Sequence, residues 1–262
     1  MMEDILITEL MTEFQFESPK QYKVKAFVLD LPFLQLKEGS KTNICGLCML
    51  DWVCESLKKF ETKIISVEDK NFDIYKELAK HVEDEDYDIV LFSSTPLVEE
   101  KYILEVLDYA QTKKLDMCKL PKGFIFRTNA LKKGAFYLTS EPQFLDKSLF
   151  FNVVDTQSLE SAMHVLNNRI LSKLQQSGVC IVDKNTTFVD ATVVIDAGVT
   201  VSPFNIIKGT SRIKSGTILK EFNNIENCKI GENCVIQFSN LKNTVIQDNK
   251  NVGPFENITK KG

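Results

Sequence analysis

The sequence predicts an α/β chain in two parts, a doubly wound sheet followed by a parallel β-helix. Three observations carry this. Branched aliphatics fall at a fixed step of six, at Val189, Ile195, Val201, Ile207, Ile213, Leu219 and Ile225, and continue at steps of five or six through Ile230, Ile236, Leu241, Ile246, Val252 and Ile258. Neither a helix nor a plain strand repeats every six residues, whereas a coil of three short strands with one inward aliphatic per strand does. Second, Asp196-Ala197-Gly198, Lys214-Ser215-Gly216, Gly231-Glu232-Asn233 and Gly253-Pro254 follow aliphatics where sharp corners need small, glycine or asparagine residues. Third, strand and helix patterns alternate before residue 176.

In order, residues 1–22 hold Ile5, Leu6, Ile7, Leu10, Phe14 and Phe16, a short helix or strand ending at Ser18-Pro19. Val24 to Leu29 reads as a buried strand, followed by a loop through Pro32 and Gly39-Ser40. Leu50, Val53, Cys54 and Leu57 give helical spacing over 47–60. Lys63 to Val67 is a strand, Phe72 to His81 a helix, and Asp88 to Phe92 a strand. Glu99 to Thr112 is a helix with Tyr102, Ile103, Val106, Leu107 and Ala110 on one face. Gly123 to Arg127, Ala135 to Leu138 and Leu149 to Val154 read as strands. Gln157 to Gln175 is a long helix, placed to cap the first coil. The domains expected are 1–176, including that helix, and 177–262, a β-helix of about four coils of ~18 residues.

A chain of 262 residues with 44% hydrophobic and 26% charged residues can bury a core. A net charge of −4 without a basic block does not support nucleic-acid binding. No apolar run reaches ~18 residues, and the start is acidic, so neither a membrane partner nor a signal peptide is expected. A cytoplasmic chain with reduced thiols is the expectation. Cys45-Gly46-Leu47-Cys48 has the spacing of a redox pair or half a zinc site, but no second pair and only two histidines accompany it. These thiols, with Cys228 and Cys234, read as packing residues.

The order of parts resembles the bacterial bifunctional N-acetylglucosamine-1-phosphate uridyltransferase/glucosamine-1-phosphate acetyltransferase family. Val165-Leu166-Asn167-Asn168-Arg169 is similar to that family's Gly-Val-Asn-Asn-Arg at the start of its linker helix. Gly178-Val179, Ile181-Val182-Asp183 and Thr187-Phe188-Val189-Asp190 resemble its entry into the first coil, and Val252-Gly253-Pro254-Phe255 its Ile-Gly-Pro-Phe. Gly46-Leu47-Cys48-Met49-Leu50 is similar to Gly-Lys-Pro-Met-Leu, and Phe92-Ser93-Ser94-Thr95-Pro96-Leu97 to Tyr-Gly-Asp-Val/Thr-Pro-Leu. The resemblance implies a reduced nucleotidyltransferase-like (Rossmann-like) first domain, a left-handed β-helix, a homotrimer through that β-helix and a sugar nucleotide ligand.

Four departures bear on chemistry. The family's glycine-rich phosphate loop is replaced by Leu29 to Leu36, a run without glycine, lysine or arginine and with Pro32 removing an amide; Lys37 comes late. The family's Mg²⁺-binding aspartate aligns with Ser94, a neutral hydroxyl, where Mg²⁺ prefers charged oxygens. Asn167 and Asn168 remain as metal candidates, or as plain polar groups at a helix start. Between Leu97 and Gly123 only about one helix fits where the family has a longer substrate-binding segment, and its Gly-Thr-Ala-His is missing; His81 reads as a surface residue. In place of Arg-Pro-Gly after the Gly-Pro-Phe, the sequence has Thr259-Lys260-Lys261, and no histidine follows His164 to serve an acyltransferase.

The leading expectation is therefore a nucleotidyltransferase homologue that has lost catalysis and acts as a binding, regulatory or assembly subunit. The alternative is an active transferase with a rebuilt site. It would use Asp30, Ser94, Asn167 and Asn168, with Lys25 or Lys37 as cation and Mg²⁺ as cofactor, at the carboxyl ends of the strands beside Ser93 and Thr95. A third is a coenzyme A site on the β-helix, which coenzyme A binding would reveal.

Overall fold

The computed structural model describes residues 22–30, 35–67, 72–144 and 146–260. The expectations for residues 1–21 and for the loop around Pro32 lie outside the described residues.

A six-stranded sheet organises the first part. Its strands are β1 (Val24–Asp30), β4 (Glu61–Ser66), β5 (Tyr87–Phe92), β6 (Met117–Leu120), β7 (Gly123–Arg127) and β8 (Thr139–Ser140), in the order β4-β1-β5-β7-β6-β8. A hairpin of β2 (Asn43–Ile44) and β3 (Leu47–Cys48) stands apart. The α-helices among the described residues are, in chain order, α1 (Met49–Ser56), α2 (Ile74–Ala79), α3 (Glu100–Thr112), α4 (Thr128–Lys133) and α5 (Thr156–Gln176). Alternate residues of β1 and β5 face opposite layers. Ala26, Val28, Ile89 and Leu91 pack with Val53 of α1 and with Ile103 and Val106 of α3. Phe27, Leu29 and Val90 pack with Leu78 of α2 and Leu131 of α4. The sheet is thus doubly wound, as predicted.

The sheet is not parallel throughout. β4, β1 and β5 run parallel, but β7 is antiparallel to both β5 and β6. The reason is the two-residue turn Pro121-Lys122 between β6 and β7, too short for the crossover that parallel neighbours need. The strand expected at 135–138 forms instead at Thr139–Ser140, beside β6. The strand expected at 149–154 is a 3-10 turn, Lys147–Phe150, followed by an extended segment.

α1 begins two residues later than predicted. The Cys48 thiol accepts from the Asp51 amide at 3.4 Å, while the Asp51 carboxylate accepts from the Cys48 amide at 3.4 Å, closing a capping box. α5 starts with another: Asp155 accepts from the Ser158 amide at 2.8 Å.

The β-helix follows α5. Its short strands stack into three parallel sheets of five, four and five members. Every aliphatic of the six-residue series from Val189 to Val252 lies in one core, with Ile258 partly buried at its far end. The register pairs Ile195 with Ile213, Ile213 with Ile230 and Ile230 with Ile246, so the slips in spacing shorten coils without turning an aliphatic outward. Cys180–Ile181 pairs with Thr200–Val201, extending one sheet to five members where about four coils were expected. Ile170 and Leu171 of α5 close the first coil against Val179, Ile181 and Val189. Cys228 and Cys234 are buried in this core.

Corners of the coils take left-handed backbone. Gly198, Gly209, Gly216, Asn227, Asn233, Asn243 and Asn249 occupy most of them. Phe204, Phe222, Phe238 and Phe255 occupy one file, at φ 61, 60, 46 and 66. That region costs a residue with a Cβ roughly 1–2 kcal/mol.

Candidate functional site

In an open α/β sheet, ligands bind beyond the carboxyl ends of the parallel strands. Here those ends are Asp30 on β1 and Ser93-Ser94-Thr95 after β5, held together by the Ser93 amide donating to the Leu29 carbonyl at 2.9 Å. Asp30 is half-buried. Ser93, Ser94 and Thr95 are 0%, 2% and 0% exposed. What covers them is the extended segment before α5. The Val153 amide donates to the Ser94 carbonyl at 2.8 Å, and the Ser94 hydroxyl donates to Asn152 Oδ1 at 2.6 Å. The Gln35 amide donates to the Val154 carbonyl at 2.7 Å, tying the same segment to the chain that follows β1. Val153 itself is fully buried among Ile44, Met49, Leu97 and Leu166. The Thr95 hydroxyl donates back to the Phe92 carbonyl at 2.8 Å.

The asparagine at this site is therefore Asn152, which the sequence reading missed. Asn167 and Asn168 do not sit at a helix start. They lie in the middle of α5, whose first turn is at Thr156. Asn167 is buried against the first coil: its Nδ2 donates to the Thr187 carbonyl at 2.8 Å and its Oδ1 accepts from the Val189 amide at 3.1 Å. Asn168 is exposed. The usable signal was Asp155 with Ser158, a capping box that fixes the true helix start and puts Asn152 just ahead of it.

The cation candidates also move. Lys25 lies at the amino end of β1, the opposite end from Asp30. Its side chain is buried between Glu61, Glu83 and Glu85 at 3.4, 3.6 and 3.5 Å. Desolvation lowers its pKa, and the three glutamates together outweigh this and raise it. Lys37 is exposed in the turn leading to Gly39. The Cys45–Cys48 pair is structural. Burial, aided by Asp190, pushes the Cys45 thiol up to about 11, and Cys48 caps α1.

These residues do not fit Mg²⁺. One hydroxyl is committed to Asn152, one amide is held at both ends by backbone, and the other amide lies on an exposed helix face. Among the described residues, no group of three or more His, Cys, Asp or Glu is placed to hold a metal ion.

A second concavity, ≈ 870 Å³, opens between α1, the start of α3 and α5. Trp52, Pro96 and Val98 give it apolar walls, and Asn168, Arg169 and Lys173 line it from α5. Arg169 donates to the Leu97 carbonyl at 2.7 Å and pairs with Glu99 at 3.3 Å, so its charge is held in place at the wall.

No protein-family model matches the chain. Curated relatives do. The bifunctional protein GlmU of Thermoanaerobacter pseudethanolicus is 29% identical over 172 residues, 61% of this chain and 37% of the relative. GlmU of Fervidobacterium nodosum is 27% identical over 205 residues, 75% of this chain and 40% of the relative. GlmU of Streptococcus gordonii is 34% identical over 134 residues, 51% and 28%. The chain is a divergent relative of the GlmU proteins. It spans less than half the length of the relatives it matches.

Two solved structures resemble part of the chain. One is a CMP:2-keto-3-deoxy-manno-octonic acid synthetase complexed with CTP, at TM-score 0.43 and 12% identity, covering 56% of this chain and 99% of that one. The other is a cytidylyltransferase from Leptospira borgpetersenii, at TM-score 0.42 and 12% identity, covering 60% and 95%. At such scores neither likeness bears on this chain's chemistry. No helix among the described residues is long and apolar enough to cross a membrane.

Proposed function

We propose that this chain is a sugar-nucleotide nucleotidyltransferase homologue without transfer chemistry, acting as a binding or assembly subunit built on a trimeric β-helix. One observation supports this above the others. The residues that should meet phosphate and metal at the end of β5 are buried, and the Ser94 hydroxyl is held by Asn152. Phosphoryl and nucleotidyl transfer depends on positive charge and metal placed around the phosphates. Lys25 is turned to the other end of the sheet, Asn167 is bonded to the first coil, and Asn168 lines the α5 groove.

Titration calorimetry with UTP and with UDP-N-acetylglucosamine, each with and without Mg²⁺, tests the reading. The expected result is no magnesium-dependent heat. Magnesium-dependent binding would overturn it and favour a rebuilt catalytic site. Ser94→Asp adds the missing carboxylate, and the expectation is that it still gives no magnesium dependence, because burial and Asn152 remain. Sedimentation of the purified chain tests the trimer.

A further inference from the structure

The concavity between α1, the start of α3 and α5 differs from the strand ends in being open. Asp30, Ser93, Ser94, Thr95 and Asn152 do not line it, so what it holds is independent of the fate of transfer chemistry. Its volume of ≈ 870 Å³ falls within the range of small-molecule sites, about 300–1,000 Å³.

Pro96, Val98, Leu166 and Ile170 form a buried apolar floor. The Trp52 indole is held rigid by its Nε1, which donates to the Ile44 carbonyl at 2.8 Å, and its partly exposed ring gives the groove an aromatic wall. Val165, 38% exposed, extends the apolar surface outward. Along α5 the lining then changes character. Val165, Leu166 and Ile170 give way to Ser172, Lys173 and Gln176. At 1.5 Å per residue, α5 carries this change over roughly 16 Å. The groove is thus elongated, apolar towards one end and polar towards the other.

Charge selects the head group of an occupant. Each carboxylate of the lining is already paired. Glu55 meets Lys58 at 2.7 Å, Glu100 meets Lys59 at 2.7 Å, and Glu99 meets Arg169 at 3.3 Å and Lys101 at 3.9 Å. Of the lining cations, Lys173 is the one without an ion-pair partner among the described residues. It stands at the polar end, where one negative charge would balance it. A cation in the last turn also favours the helix dipole, and if that were the whole role of Lys173, the charge of an occupant would not matter.

We propose that this groove is a binding site for an amphipathic carboxylate. An elongated alkyl or aromatic body lies along Trp52, Val98, Val165 and Leu166, and its carboxylate pairs with Lys173.

Trp52 is the single tryptophan, so its fluorescence reports on the groove directly. Titration of the full chain with decanoate, below its micelle-forming concentration, should change that emission saturably. Decylamine, the same body with a cationic head, should bind about tenfold more weakly. Lys173→Gln should weaken decanoate about three- to fivefold and remove most of this preference. Val165→Ser, which trims the apolar wall, should weaken both ligands about threefold. Both substitutions fall at exposed positions, and unchanged far-ultraviolet dichroism checks that the variants fold. Absence of a saturable change overturns the proposal. Equal affinity for decanoate and decylamine overturns it too, because the head group would then go unread. So does a preference for decanoate that persists in Lys173→Gln, or binding that Val165→Ser leaves unchanged, since either would place the ligand elsewhere.

Discussion

Asp88 is fully buried on β5; Thr128 donates to its Oδ2 at 2.7 Å, while Oδ1 has no hydrogen-bond partner among the described residues. Burial pushes its pKa up to about 6, against the pull of Thr128 and with a further push from Glu85; Lys25 and Lys132 oppose it. The folded state thus holds this proton more tightly than the unfolded chain, whose aspartates titrate near ~3.9. The group exacts no penalty below about pH 4, and its penalty grows through about pH 6 and stays above it. Asp88→Asn should therefore stabilise the protein at pH 7.5 by up to about 3 kcal/mol and give no gain at pH 4. Denaturant unfolding at both pH values checks this, and destabilisation at pH 7.5 would mean that the charge is well paired. The two neighbouring asparagines make a second contrast. Asn167→Ala strips a buried carbonyl and a buried amide of their partners and should cost about 2–3 kcal/mol, whereas Asn168→Ala on the exposed face should stay within about 0.5 kcal/mol. Equal losses from the two would contradict the placement of α5. In sequence these residues are indistinguishable, because side-chain direction depends on which helix face meets the coil. Asn152 is a different case: it lies in the extended segment ahead of α5, and only the tertiary pairing of that segment with the end of β5 makes it the partner of Ser94.

Among the elements, the β-helix was readable nearly residue by residue, because its signal is local. One aliphatic per six residues fixes the inward position, and the register confirms it coil after coil. The second half of the sheet was not. Met117–Leu120 is four residues with Lys119 among them, too short and too mixed to show a period, so the sequence shows β7 as a further strand but not β6, its antiparallel partner. The β2–β3 hairpin was hidden for another reason: its partner is distant. The Cys45 carbonyl accepts from the Ala191 amide at 2.8 Å, Trp52 Nε1 donates to the Ile44 carbonyl at 2.8 Å, and Asn43 Oδ1 accepts from the Gly46 amide at 3.1 Å. Gly46 sits at φ +90, where a Cβ would lie 2.7 Å from Asp190 Cβ. Gly46→Ala combines a left-handed strain with a clash against the root of the Asp190 side chain and should cost about 2–3 kcal/mol. Thermal unfolding measures it, and a change under about 0.5 kcal/mol would show that the hairpin does not press on the first coil.

For the whole molecule, α5 belongs to two cores at once. Ala162 and Leu166 pack with Ile44, Met49, Leu97 and Val153 on the side of the sheet domain. One turn later, Ile170 and Leu171 close the β-helix. Trp52 contacts both groups. The sequence invites a division near residue 176, but energetically the helix cannot be assigned to one side, because losing either core exposes apolar surface of the other. The two parts should then unfold as one unit, although chains of this size often split into independent transitions. The fluorescence of Trp52, the single tryptophan, and the far-ultraviolet dichroism of the coils should share one midpoint in guanidinium. Leu171→Ala, a truncation in the first-coil cap, should cost about 2–5 kcal/mol and shift both signals together. If only the dichroism shifted while the tryptophan transition stayed in place, the β-helix would be an independent unit, and α5 would be a tether rather than a shared core element.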